Sequence, residues 1–111
     1  MKAFKKDFLK DIDLKDGKVV YYDFEINFNL PFENQKWSFK EDLIQIHFNE
    51  GKYIIDVGWY PEFNEKGSFV ISVINDYDWN NPIFEKNGKS VDHLIMYINK
   101  AIKIITLLRN P

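Results

Sequence analysis

Between Lys18 and Leu30 the chain alternates apolar and polar residues almost without a break. Val20, Tyr22, Phe24, Ile26, Phe28 and Leu30 fall on one parity, and Tyr21, Asp23, Glu25, Asn27 and Asn29 on the other. A period of two places successive side chains on opposite faces of a strand, so this run predicts a long strand with one buried and one wet face. Pro31 ends it. The same pattern recurs three times. Leu43 to Phe48 turns Ile44, Ile46 and Phe48 inward and Gln45 and His47 outward. Lys52 to Tyr60 alternates Tyr53, Ile55, Val57 and Trp59 against Ile54, Asp56, Gly58 and Tyr60. In "SFVISVIND" the inward set is Phe69, Ile71 and Val73. The tripeptide "NEG" at 49 to 51 supplies a tight hairpin, "PEFNEKG" joins the third and fourth strands, and "DYDWNNPIFEKNGK" reads as a long turn-rich loop.

Two helical stripes flank the strands. Phe4, Phe8 and Ile12 predict a short helix over Lys2 to Ile12. After Ser90, a good N-cap, Val91, Leu94, Ile95, Ile98, Ala101, Ile102, Ile105 and Leu108 recur at three- and four-residue spacing. At ~1.5 Å per residue, a helix from Val91 to Arg109 would extend about 28 Å, enough to cross several strands. The expected fold is therefore α+β. It has two layers: an antiparallel meander of four or slightly more strands, with the long C-terminal helix and the short N-terminal helix packed on one face. Chain length and the lack of a linker-like segment place residues 1–111 in a single domain. Following the hairpins, the connections at 31–42 and 61–66 should share one end of the sheet, and those at 49–51 and 76–88 the other.

Composition narrows the chemistry. There is no cysteine, which removes disulfides, thiolate metal sites and thiol nucleophiles and suits a reducing compartment. The N-terminus has lysines but no continuous apolar core of a secretory signal, and no segment reaches the ~20 apolar residues that span a bilayer, so a cytoplasmic location is expected. The net charge of -2 is unevenly spread. Residues 19–88 hold twelve acidic side chains against five lysines, a net of -7, while both flanks are positive. Such a middle region repels phosphates and attracts a basic surface.

Phosphate-binding glycine loops, a nucleophile elbow and a paired-histidine metal signature are absent from the sequence. His47 should point outward from a central strand while His93 sits at the start of the helix on the other side, so the two imidazoles are not expected to cooperate. A small enzyme using His47 with Asp56 or Tyr60, or a generic interaction adaptor, are the alternatives to a binding protein. The residues best suited to binding lie on the outward sheet face and in two loops. Asp56 and Tyr60 flank Gly58, whose bare backbone can mark a bulge or a place where a partner approaches closely. Phe63 lies between Glu62 and Glu65, and Trp79 follows Asp76 and Asp78. Aromatic anchors inside acidic rims suit a basic protein partner.

The segments "YIIDVGWYPEFNEKGSFVISVINDYDWNNPIFEK" and "SVDHLIMYINKAI", within residues 53 to 102, resemble the small immunity proteins that bacteria encode beside contact-dependent growth inhibition and related polymorphic toxins. The resemblance implies a non-catalytic inhibitor that binds the C-terminal toxin domain of its own strain, commonly a basic nuclease, in the cytosol. The expected protein is a monomer in a 1:1 complex with no cofactor or metal; the -7 balance argues against direct nucleic-acid contact and the lack of an apolar span against a membrane. That family has no universal binding motif, so the expected toxin-binding set of Asp56, Tyr60, Glu62, Phe63, Glu65, Asp76, Asp78 and Trp79 rests on the residues themselves.

Overall fold

A computed structural model describes residues 8–109. Five strands, β1 (Lys18–Tyr22), β2 (Ile44–Phe48), β3 (Tyr53–Tyr60), β4 (Ser68–Asn75) and β5 (Phe84–Gly88), form one antiparallel sheet in the order of the chain. The helix α1 (Val91–Arg109) packs across β3, β4 and β5. The sheet is thus a meander, as the alternation predicts, with one strand more than the four that alternate visibly.

The three central segments match their sequence pattern. Ile44, Ile46 and Phe48, then Tyr53, Ile55, Val57 and Trp59, then Phe69, Ile71 and Val73 all join the hydrophobic core. From α1 the core receives Leu94, Ile98, Ala101, Ile102 and Ile105, the stripe that periodicity identifies. Ser90 caps the helix, its Oγ accepting from the His93 amide at 3.1 Å. At the far end Arg109 Nη1 donates to Asp16 at 2.8 Å and to Asn49 at 2.7 Å, fastening the last turn to two sheet turns.

Two expectations are corrected. The first strand does not run to Leu30: it stops at Tyr22, and residues 23–27 continue without regular structure. Its partner β2 begins at Ile44, opposite Tyr22, so only the Asp23 amide finds a further acceptor, the Leu43 carbonyl at 2.8 Å. Beyond that point side chains replace the ladder. Gln35 bonds both the amide and the carbonyl of Asn27, and the Asn27 side chain accepts from the Asn29 amide. The inward set is also broken, because the register shifts between Val19 and Tyr21 and leaves Val20 exposed. Phe24 and Ile26 are buried nonetheless, while Leu30 is exposed. The second correction concerns the 76–88 loop, whose last five residues are β5, an edge strand. Its "FEKNG" carries charges where a central strand would carry apolar residues, and charged residues blunt an exposed edge. The expected N-terminal helix lies mostly outside the described residues. Of its stripe, Phe8 begins a short turn and stacks on Phe24 at 4.6 Å, and Ile12 is buried.

The loops sort by end as the hairpins require. The Phe63 amide donates to the Phe39 carbonyl at 2.7 Å, joining the 61–66 and 31–42 connections, and the Asp76 amide donates to Lys52 O at 2.9 Å at the opposite end. The 31–42 connection also explains Gly58. A Cβ at this position would collide with the Glu41 carbonyl, so of the two readings of Gly58 the close approach is the right one, but it is made by the chain's own backbone and not left open to a partner. Gly58→Ala should therefore cost about 1–3 kcal/mol of stability through overpacking against backbone, measured as a lowered urea midpoint at unchanged m-value.

Candidate functional site

The face of the sheet turned away from α1 carries a polar row. The strand registers align Tyr21, Gln45, Asp56, Ser72 and Glu85 across all five strands. One pleat toward β1's start stand Lys18, His47, Ile54 and Ile74. Ile54 and Ile74 are buried on this helix-free face. The 76–83 loop folds back along it, held by the Ile83 amide on the Val73 carbonyl at 2.9 Å, and begins with Asp76 and Tyr77 in the left-handed region at φ 55° and 60°.

The returning loop converts the face into a cavity of about 400 Å³. Its floor is Asp56, Val70, Ser72 and Ile74, and its sides are Tyr60, Trp79, Pro82 and Glu85. Three of the expected binding residues, Asp56, Tyr60 and Trp79, therefore meet here. Glu62, Phe63 and Glu65 lie beyond Tyr60 at one end of the sheet. Phe63, at φ 61°, packs edge-on against the exposed Trp37 ring with centroids 5.2 Å apart. Glu62 accepts from the Glu41 amide at 3.4 Å. Asp76 and Asp78 stand at the other end and are engaged within their own neighbourhood. Asp76 pairs with Lys52 at 3.4 Å, and Asp78 accepts from Asn81 Nδ2 at 3.2 and 3.3 Å. The expected set thus forms three clusters, with Trp79 joining Asp56 and Tyr60 rather than Asp76 and Asp78.

Glu85 is the member the sequence hides, since it sits in a segment whose strand character is masked by charge. Ser72 and Gln45 are outward residues of strands that the alternation does reveal. Trp37, exposed beside Phe63, had only its aromatic character to mark it.

The electrostatics of the cavity are one-sided. Burial pushes the Asp56 carboxyl up to about 6; the hydrogen bond from Gln45 Nε2 at 3.1 Å opposes this, and the charge of Asp42 adds to it. The Tyr60 phenol is also raised, first by burial and then by Asp56, Glu41, Asp42 and Glu62. Four carboxylates therefore act on one ring. Lys40 does not offset them, because it donates to Asp23 at 2.7 Å and that bond holds its pKa up.

His47 lies on the open face and lines a separate depression with Asp16, Lys18 and Glu50, whereas His93 bonds Ser90 and stacks on Tyr97 on the helix side. The sheet separates them, so they cannot share a substrate. Among the described residues no group of His, Cys, Asp or Glu has the arrangement of a metal site, and no helix is long and apolar enough to cross a membrane.

The chain matches no family model, and neither the curated proteins nor the solved structures contain a significant match to it.

Asp56 sets a pH-dependent cost. A carboxyl whose folded pKa is raised holds its proton more tightly when folded, so its contribution is fully present below about pH 4 and is lost as pH rises through about 6. Asp56→Asn stays neutral and keeps an acceptor for Gln45. It should be more stable than the parent by about 1–3 kcal/mol at pH 8, with the difference closing toward zero at pH 4, read by urea denaturation at both pH values.

Proposed function

We propose that this chain is an immunity-type inhibitor. It binds and neutralises a cognate toxin domain, a basic nuclease, of a contact-dependent growth inhibition system in the cytoplasm, as a monomer in a 1:1 complex. The observation that carries this reading is the convergence of Glu41, Asp42, Asp56 and Glu62 on the Tyr60 ring, beside exposed aromatic side chains. Retaining a carboxylate in a site that penalises its charge costs stability, and such costs concentrate at functional positions. A basic partner would recover that cost, with steering to speed capture and aromatic anchors to slow release. Support also comes from the resemblance of residues 53 to 102 to immunity proteins and from the -7 balance of residues 19–88.

In this reading the chain is not a catalyst, uses no cofactor and touches neither nucleic acid nor membrane. The partner is the product of the adjacent reading frame, and co-purification with it is the direct test. Reversing Glu62 and Glu65, or Asp76 and Asp78, should weaken that complex at least tenfold while moving the melting temperature little, since these side chains make at most exposed pairs. Full protection by a variant reversed at both loops and at Asp56 would sink the acidic interface. Replacing His47 and His93 together should leave protection unchanged; loss of protection with the fold intact would favour a small enzyme using His47.

A further inference from the structure

The cavity is specific enough in shape and charge to name what enters it. We propose that it receives an arginine side chain of the partner, whose guanidinium lies above Ser72 between the Asp56 and Glu85 carboxylates and is flanked by the Tyr60 and Trp79 rings. This rests on the reading of this face as a docking surface for a basic protein, and it goes further in assigning the cavity one side chain.

The register supplies the geometry. Asp56 and Glu85 lie at the same level of the sheet, two strands apart with Ser72 between them, which sets their Cα atoms roughly 10 Å apart. A small residue between two longer acidic ones leaves a gap above itself. At about 400 Å³ the cavity has many times the ~30 Å³ share of one water molecule. Acceptors remain available. Asp56 takes one hydrogen bond among the described residues, through Oδ1 from Gln45, and Glu85 Oε2 has only a long contact of 3.5 Å from Ser72 Oγ.

Every lining side chain is acidic or neutral. Among the described residues, Lys40 is committed to Asp23 and Lys52 to Asp76, while Lys86 shares the register position of Ile71 on the helix-side face. Among the described residues, the groups facing Asp56 are Gln45 on β2, Tyr60 on its own strand, Ser72 on β4, Glu85 on β5 and the acidic Asp42 before β2. None is a cation, so at low pH a proton takes the place of the guest. Arginine suits the site better than lysine. Its planar fork donates to two carboxylates at once, stacks on aromatic rings and is less strongly hydrated than an ammonium.

The test is an NMR titration of the whole chain with N-acetyl-arginine methylamide, its lysine analogue and the neutral, near-isosteric citrulline analogue. The arginine probe should give saturable shifts at the Trp79 indole and the Ser72 amide, with a Kd on the order of millimolar. Asp56→Asn, which removes charge without removing a core residue, should weaken it at least tenfold, as should lowering the pH from 7.5 to 5. Trp79→Ala, an exposed ring, should weaken it as well. Absent saturation, equal binding of citrulline, tighter binding of lysine, or indifference to Asp56→Asn would each overturn the proposal. Capture of the toxin domain separates the two readings. If the parent binds the arginine probe but captures no toxin domain, the pocket stands and the docking reading falls. If toxin capture survives the Asp56→Asn, Trp79→Ala double variant and the parent binds no arginine, the docking reading stands and the pocket falls.

Discussion

The packing of Trp59 is the constraint on which the remaining structure depends. Its ring is fully buried near the end of β3, with Phe39 at 4.2 Å, Phe69 at 4.8 Å and Phe32 at 5.7 Å between centroids. Its indole N–H donates to the Asn64 carbonyl at 2.7 Å. One side chain therefore ties the third and fourth strands, the hairpin tip and the 31–42 connection together. A buried indole that loses its acceptor carries a desolvation cost, so the tip backbone must fold to place Asn64 there. Phe39 then positions Phe63, whose amide it receives, and the same connection lays the Glu41 carbonyl against Gly58. The acidic surroundings of Tyr60 follow from how the core is closed.

That closure divides the sheet into unequal faces. On one side α1 covers β3 to β5, and the aromatic chain of Phe8, Phe24, Phe28 and Phe32 continues the cover over Phe69 and Trp59. On the other, among the described residues, the 76–83 loop returns, sheltering Ile74 and leaving the polar row partly enclosed. A fully solvated Asp56 would ionise at its ordinary pH; a fully covered one would demand a partner within the fold. Among the described residues it has an intermediate setting, with Gln45 and neighbouring acids beside it. The cavity is a place where the fold holds a carboxyl out of water beside other acids, with one neutral amide to bond it.

How far the residues disclose this depends on which force decides each element. Burial decides β2, β3, β4 and α1, and their periodicity reads directly to within a residue or two. The Lys18 to Leu30 run alternates just as cleanly, yet pairing decides its end, and a strand cannot continue where its neighbour has not begun. Phe24 and Ile26 show that alternation marks burial there without marking a ladder. In β5 the ladder exists without the alternation. Among the site residues, Asp56 and Tyr60 are legible as outward residues of a readable strand. Glu85 is not, because placing it requires knowing that an ordinary charged segment pairs with β4. The meeting of Trp79 with Tyr60 depends on a loop folding back through left-handed residues at Asp76 and Tyr77, neither of them glycine.

The division of the acidic residues into clusters bears on how one partner could use them. Glu62 and Glu65 follow β3, Asp76 and Asp78 follow β4, and the two groups are separated by the length of an eight-residue strand, roughly 25 Å. A standard interface buries about 800 Å² per partner, which as a disc is roughly 32 Å across. Both loops and the cavity between them therefore fit under one partner of ordinary size. In such an arrangement the centre is the position best shielded from water, where desolvated anchors contribute most, and the rim is where charges act through steering. The sheet places the half-buried Asp56 and its flanking rings at that centre and the solvated carboxylates at the edges. This ordering follows from strand register and loop direction, so it would persist if individual rim charges were exchanged.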